Sequence, residues 1–221
     1  MAIAIDATAL KDYTPGPTTA LTCSTLTIGS GSNRYLFVVG HSNVGDTVTG
    51  ITWNGVSMTQ LSKKVCLAGD CIYIYGLANP DSGNHNIVMS SSSSSYMGIL
   101  AASYTGVNQT GQPDAVATGS AASVTSLTST VTTIADNCWL LAVYRWDGAQ
   151  ALSAGTNSYL RVTLDPGLND ALLDSNAAQT PAGSKSLQGT IVSANNMNYC
   201  IISFAPYSAP PAATHRFFQM F

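Results

Sequence analysis

Glutamate is absent from these 221 residues, and charge of any kind is scarce: Asp, Lys and Arg together make up 9% of the chain, against about 25% in ordinary soluble domains. Glu is a favoured residue on exposed helix faces, so its absence argues against long surface helices. Solubility must rest on Ser, Thr, Asn and Gln. The net charge is -3, with eight Lys and Arg that stand singly apart from Lys63-Lys64. No basic stripe is present to neutralise phosphates, which argues against a nucleic-acid partner. Met1 to Asp6 (MAIAID) offers neither a basic leader nor a long apolar run, so no signal peptide or membrane span is expected and synthesis in a cytosol is the simplest reading.

Catalytic and cofactor signatures are missing as well. The sequence has no Gly-x-Ser-x-Gly elbow, no phosphate loop, no Gly-x-Gly-x-x-Gly after a strand and no calcium-loop pattern, so no nucleotide, metal or other cofactor is expected. A glycosidase pair would have to be built from Asp alone, and Asp81, Asp114, Asp136 and Asp165 sit in turn-like sequence. His41, with Asp46 five residues on, reads as a strand-end histidine meeting a turn aspartate. Cys23, Cys66, Cys71, Cys138 and Cys200 are odd in number and lack metal-site spacing. A Cys66–Cys71 disulfide across a hairpin stays open beside the reading of at least three as buried free thiols. No catalytic residue is assigned, and the chain is read as non-enzymatic.

What is present is strand. Arg34–Ser42, Asp46–Trp53, Cys71–Leu77, Asn86–Ser90, Tyr96–Thr105, Val124–Thr133, Cys138–Trp146, Tyr159–Leu164, Ser186–Val192 and Tyr199–Ala205 are short, rich in β-branched and aromatic residues, and bounded by Gly, Asn and Asp. With the first segments, about ten to thirteen strands are expected, as in a sandwich. Asn54-Gly55 has the chemistry of a two-residue hairpin turn, and Asn79 to Gly83 (NPDSG) should turn the chain between two further strands. The runs Tyr35–Val39 and Trp139–Val143 are apolar throughout, as in strands covered on both faces. Each follows a Thr-rich segment and a polar turn. Two wrapped halves of one sandwich would account for this echo, and so would chance. The run Ser90–Ser95 reads as a polar strand end and hairpin loop, and Asn169–Ala178 as the single short helix.

The reading is therefore all-β: a single antiparallel β-sandwich of jelly-roll type over residues 1–206, with little helix, followed by an extended Pro-rich C-terminal tail, residues 207–221. Phe217, Phe218, Met220 and Phe221 would be costly to leave in water and are the candidate partner-binding residues. Trp146, beside Arg145 and Asp147 at a strand end, is the candidate ligand-facing aromatic.

The segments Arg34–Val39 (RYLFVV), Val48–Thr59 (VTGITWNGVSMT), Ile72–Pro80 (IYIYGLANP) and Ala102–Val107 (ASYTGV) carry a resemblance. In this order they resemble β-sandwich domains of tailed-bacteriophage virion structural proteins, the capsid cement, decoration and tail-associated proteins, over residues 34 to 107. The resemblance implies a structural role in a virion, partners among the major capsid protein or other virion subunits, and a homo-oligomer, trimers being common in such proteins. It brings no catalytic signature. Similar domains in bacterial surface proteins keep an alternative, a carbohydrate- or surface-binding module of tail-fibre or adhesin type.

Overall fold

The computed structural model describes residues 1–164 and 167–208, without the side chains of residues 8–10 and 25. Most of the expected tail, Phe217, Phe218, Met220 and Phe221 included, lies outside the described residues. Strands are β1 (Ala4–Tyr13), β2 (Thr18–Ile28), β3 (Tyr35–Ser42), β4 (Val48–Trp53), β5 (Val56–Ser57), β6 (Thr59–Val65), β7 (Cys71–Ala78), β8 (Gly83–Ser95) and β9 (Met97–Thr105). They continue with β10 (Ala115–Thr133), β11 (Trp139–Trp146), β12 (Leu152–Ala154), β13 (Tyr159–Thr163), β14 (Asp170–Asp174) and β15 (Gly183–Phe204). No helix occurs among the described residues. The segment expected to be helical holds β14 instead, because Ala171, Leu172 and Leu173 are buried on both sides of a sheet and packing overrides their helix propensity.

Three antiparallel sheets form, ordered β1-β9-β3-β7-β6, β10-β15-β11-β14-β13 and β2-β8-β4-β5. The first two are the inner sheets. Their facing sides share one core, where Phe37, Leu100 and Tyr104 meet Leu141, Ile202 and Phe204. The other side of the β3 sheet (Leu36, Val38, Tyr73) is covered by Leu21, Ile51, Trp53 and Met89 of the third sheet. The other side of the β11 sheet (Leu140, Ala142, Tyr144) is covered by Val131, Leu187 and Leu152. That cover is made by the far ends of β10 and β15, which bend back over their own sheet and add β12. Four layers result, and β3 and β11 are buried on both faces as their unbroken apolar runs demand.

The echo between those two runs marks a repeat of the whole architecture. Numbered by chain order within each inner sheet, the strands run 1-5-2-4-3 in both. β1 with β2 corresponds to the single long β10, which is kinked by a register shift around Val124, next to the positive φ of Ser123, and β8 with β9 corresponds to the single long β15. The registers agree residue by residue. Tyr35 opens β3 opposite Tyr104, and Trp139 opens β11 opposite Phe204. One residue on, Leu36 faces Ser103 and Leu140 faces Ser203. Each serine hydroxyl donates to an aspartate of the first strand region: Ser103 to Asp6 at 2.8 Å and Ser203 to Asp114 at 3.0 Å. Each aspartate also accepts a backbone N–H from the chain that follows, Gly29 at 3.2 Å or Ile134 at 2.8 Å. Asp114 is thus more than the turn former expected of it.

Within the first half the pairings nest: β1 with β9, β2 with β8, β3 with β7, β4 with β5. Asn54 and Gly55 take φ of 49° and 78°, as the hairpin turn between β4 and β5 requires. The NPDSG turn carries the chain from β7 in an inner sheet to β8 in the outer one. The serine run is the strand end expected of it, without the hairpin loop. Ser90–Ser95 completes β8, where Ser95 Oγ bonds Ser42 Oγ at 2.9 Å and donates to Asn43 Oδ1 at 3.0 Å, closing the crossing to β9.

Candidate functional site

Charge in this chain lies where it is least expected. The outer strands β2, β4, β5, β8, β10 and β12 contain no Asp, Lys or Arg, and β15 contains Lys185 alone. The inner sheets, by contrast, hold His41, Arg145, Asp170, Arg161 and Asp174, with Asp70 at the start of β7, and most of these are buried between layers.

His41 Nδ1 lies 2.8 Å from Asp170 Oδ2, and its Nε2 lies 3.8 Å from Asp70 Oδ2. Arg145 grips Asp70 through Nε and Nη2, both at 2.6 Å, and reaches Asp147 at 3.6 Å. His41 is the seventh residue of β3 and Arg145 the seventh of β11, so they are equivalent positions of the two halves. Each of the two side chains faces an aspartate of the other half. This crossed pairing is what an isologous contact between two like units produces. The sequence offered Asp46 as the partner of His41; in the fold Asp46 instead pairs with Lys63 and accepts from Tyr73. The correct partner is 129 positions away, as their numbers give, beyond any local signal.

The cluster resembles a charge-relay arrangement only in composition. His41 and Asp170 are 1% and 0% exposed, and the approach lacks hydrogen-bond alignment. Among the described residues no serine or threonine hydroxyl is shown hydrogen-bonded to either, and no group of His, Cys and Asp is arranged to hold a metal ion. A second buried set, Tyr104 donating to Asp174 at 2.7 Å and Arg161 to the same carboxylate at 2.7 Å, fixes β9 against β14. Both sets fasten layers together.

All five cysteines are free and buried, so no disulfide joins Cys66 and Cys71. Burial, the largest cause in each case, pushes the thiols of Cys23, Cys138 and Cys200 up to about 12, and those of Cys66 and Cys71 up as well. Thiolates are the reactive species, so these side chains act as small hydrophobes. Trp146 is not ligand-facing. It is fully buried in the core under the folded-back hairpin, and its indole N–H donates to Gln150 O at 2.7 Å. Its neighbours Arg145 and Asp147 suggested exposure, but alternation along β11 sends Trp146 to the opposite face from Arg145.

What faces outward on the outer layers is mostly hydroxyl and amide, with Val56 and Val192 exposed among them. On the third sheet Thr22, Val88, Thr52 and Ser57 stand in one cross-strand row. On the folded-back hairpin Thr128, Thr130 and Thr132 stand opposite Gln188, Ser186 and Ser184. An open, largely apolar cleft of about 830 Å³ lies beside the N-terminus, walled by Met1, Ile3, Trp139, Ala177 and Tyr207. No protein family, curated protein or solved structure matches this chain.

Proposed function

We propose that this chain is a non-catalytic virion structural protein of the capsid cement or decoration kind, made in a host cytoplasm and acting by contacts with the major capsid protein or other virion subunits. In this reading each half is a jelly roll, a long hairpin ribbon rolled on itself. The nested pairing of β1–β9 supports it, as does the matching strand order of β10–β15. The observation that carries the proposal is the distribution of charge. The buried ionic groups are used in fastening the two halves together, while both outer layers are broad and almost uncharged. A neutral face can be covered permanently without desolvating ions. The apolar cleft near Trp139 offers a receiving site for an apolar group of a neighbouring subunit, and the C-terminal residues Phe217, Phe218, Met220 and Phe221 are the proposed anchor on a partner.

The test is co-sedimentation of the purified full-length protein with tailed-phage capsids, beside its native mass alone. Incorporation at a fixed stoichiometry, with loss of incorporation when residues 209–221 are removed, is the expected result. A monomer that stays in the supernatant at every capsid concentration would overturn the proposal.

A further inference from the structure

Two shallow depressions on the outer face of the β2-β8-β4-β5 sheet, about 610 and 500 Å³, share Thr52 and Ser90 and so form one groove. It runs from the rim at Tyr75, over Gly50 and Ser57, to Asn84 and Asn86 beside the Asn54-Gly55 turn. The lining contains no Asp, Lys or Arg. Among the described residues no protein group hydrogen-bonds the side chains of Thr52, Ser57, Ser90, Asn84 or Asn86, so this row of donors and acceptors is open to a ligand that takes the place of water. The floor is low at Gly50, where an added Cβ meets nothing within 4 Å.

We infer that this groove binds a neutral oligosaccharide. A polyhydroxyl chain can exchange its hydrogen bonds with water for bonds to alternating hydroxyls and amides. An anionic glycan or nucleotide would find no Lys or Arg to offset its desolvation, and the one imidazole in the lining, His85, is turned against Trp53 and Ser82 O. An apolar peptide would find few apolar side chains, since the floor residues Ile51 and Met58 are buried beneath the hydroxyl row. The other half of the chain serves as an internal contrast. At the place of β4 it has the three-residue β12, which pairs only with β15 and has no strand beyond it to build a wall. Among the described residues, that half has no matching groove on β12. The inference does not depend on assembly into a virion: a decoration protein and a free module could both carry such a site.

Calorimetric titration of the full-length protein tests it, with short gluco-, manno- and xylo-oligosaccharides as neutral probes and oligogalacturonate as the anionic one. Saturable binding of at least one neutral probe, with none of the anionic one, is expected. Gly50→Val fills the floor with a residue that suits a strand, and should abolish binding while the melting temperature stays level or rises. Asn86→Ala should weaken binding about tenfold. The inference fails if no neutral probe binds, if Gly50→Val and Asn86→Ala both bind as the parent does, or if the anionic probe binds as tightly. None of these results bears on capsid co-sedimentation.

Discussion

The inner sheets and the outer layers of this protein are built from the same kind of strand but differ in what they do with polarity. In the inner pair, ionisable groups are buried and face one another across the junction of the halves: His41 with Asp170, Arg145 with Asp70. In the outer layers polarity is spread thinly as uncharged hydroxyls and amides, some bonded locally, as Gln188 is to Thr128. A buried ion is costly unless paired, so it fixes geometry; a surface hydroxyl is already satisfied by water and fixes nothing. The lesson is that low overall charge does not mean a protein without ionic specificity. Here the specificity is turned inward, where it aligns two like halves, and the outer layers are left free to be covered.

The sharpest way to break this contrast is to unpair the junction. Arg145→Met leaves Asp70 buried without its main partner and should cost about 3–5 kcal/mol, read by chemical unfolding. Trp146→Ala, under the folded-back hairpin, should cost about 3–5 kcal/mol through the cavity alone, and would test whether the outer layer is as firmly packed as the junction. Gly106→Ala comes next. Its φ is 71°, and an added Cβ would lie 2.1 Å from the Ala2 carbonyl oxygen, so a loss of about 2 kcal/mol or more is expected with displacement of the N-terminal strand. At the bottom of the scale, Thr130→Lys on the outer face should change stability by no more than about 0.5 kcal/mol.

The thiols sharpen the contrast by pH. Their folded values are raised above the ordinary 9.0, to about 12 for Cys23, Cys138 and Cys200, so the folded state holds their protons more tightly than the unfolded state. Their contribution is fully present below pH 9 and is lost as pH rises from there through about 12. Alkaline unfolding in that window, and no labelling of native protein by a thiol reagent at neutral pH, are the expected outcomes.

Much of the fold was legible from local pattern. The apolar runs of Tyr35–Val39 and Trp139–Val143 identified the two strands covered on both faces, and Asn54-Gly55 identified its hairpin, because burial and turn chemistry act over a few residues. Three things were not legible. The helix expected at Asn169–Ala178 is a strand, since Asp170–Asp174 (DALLD) suits either state and only its neighbours β11 and β13 decide. Ser186–Val192 and Tyr199–Ala205 read as separate strands, but Ser193–Asn198 continues the pairing between them. The crossed pairs at the junction join residues that only the repeat of the two halves brings together, so His41 was assigned to its sequence neighbour. The outer groove left no motif either, because its hydroxyls come from β4, β5 and β8, which only sheet formation aligns.

The most direct measurement is a double-mutant cycle across the junction, with Asp70→Asn, Arg145→Met and both together, compared by equilibrium unfolding. Crossed, buried pairing predicts that each single change is severely destabilising and that the double variant is more stable than the sum of the two losses allows, with a coupling of about 2 kcal/mol or more. Losses that simply add would mean that the two halves are not held in register by these charges.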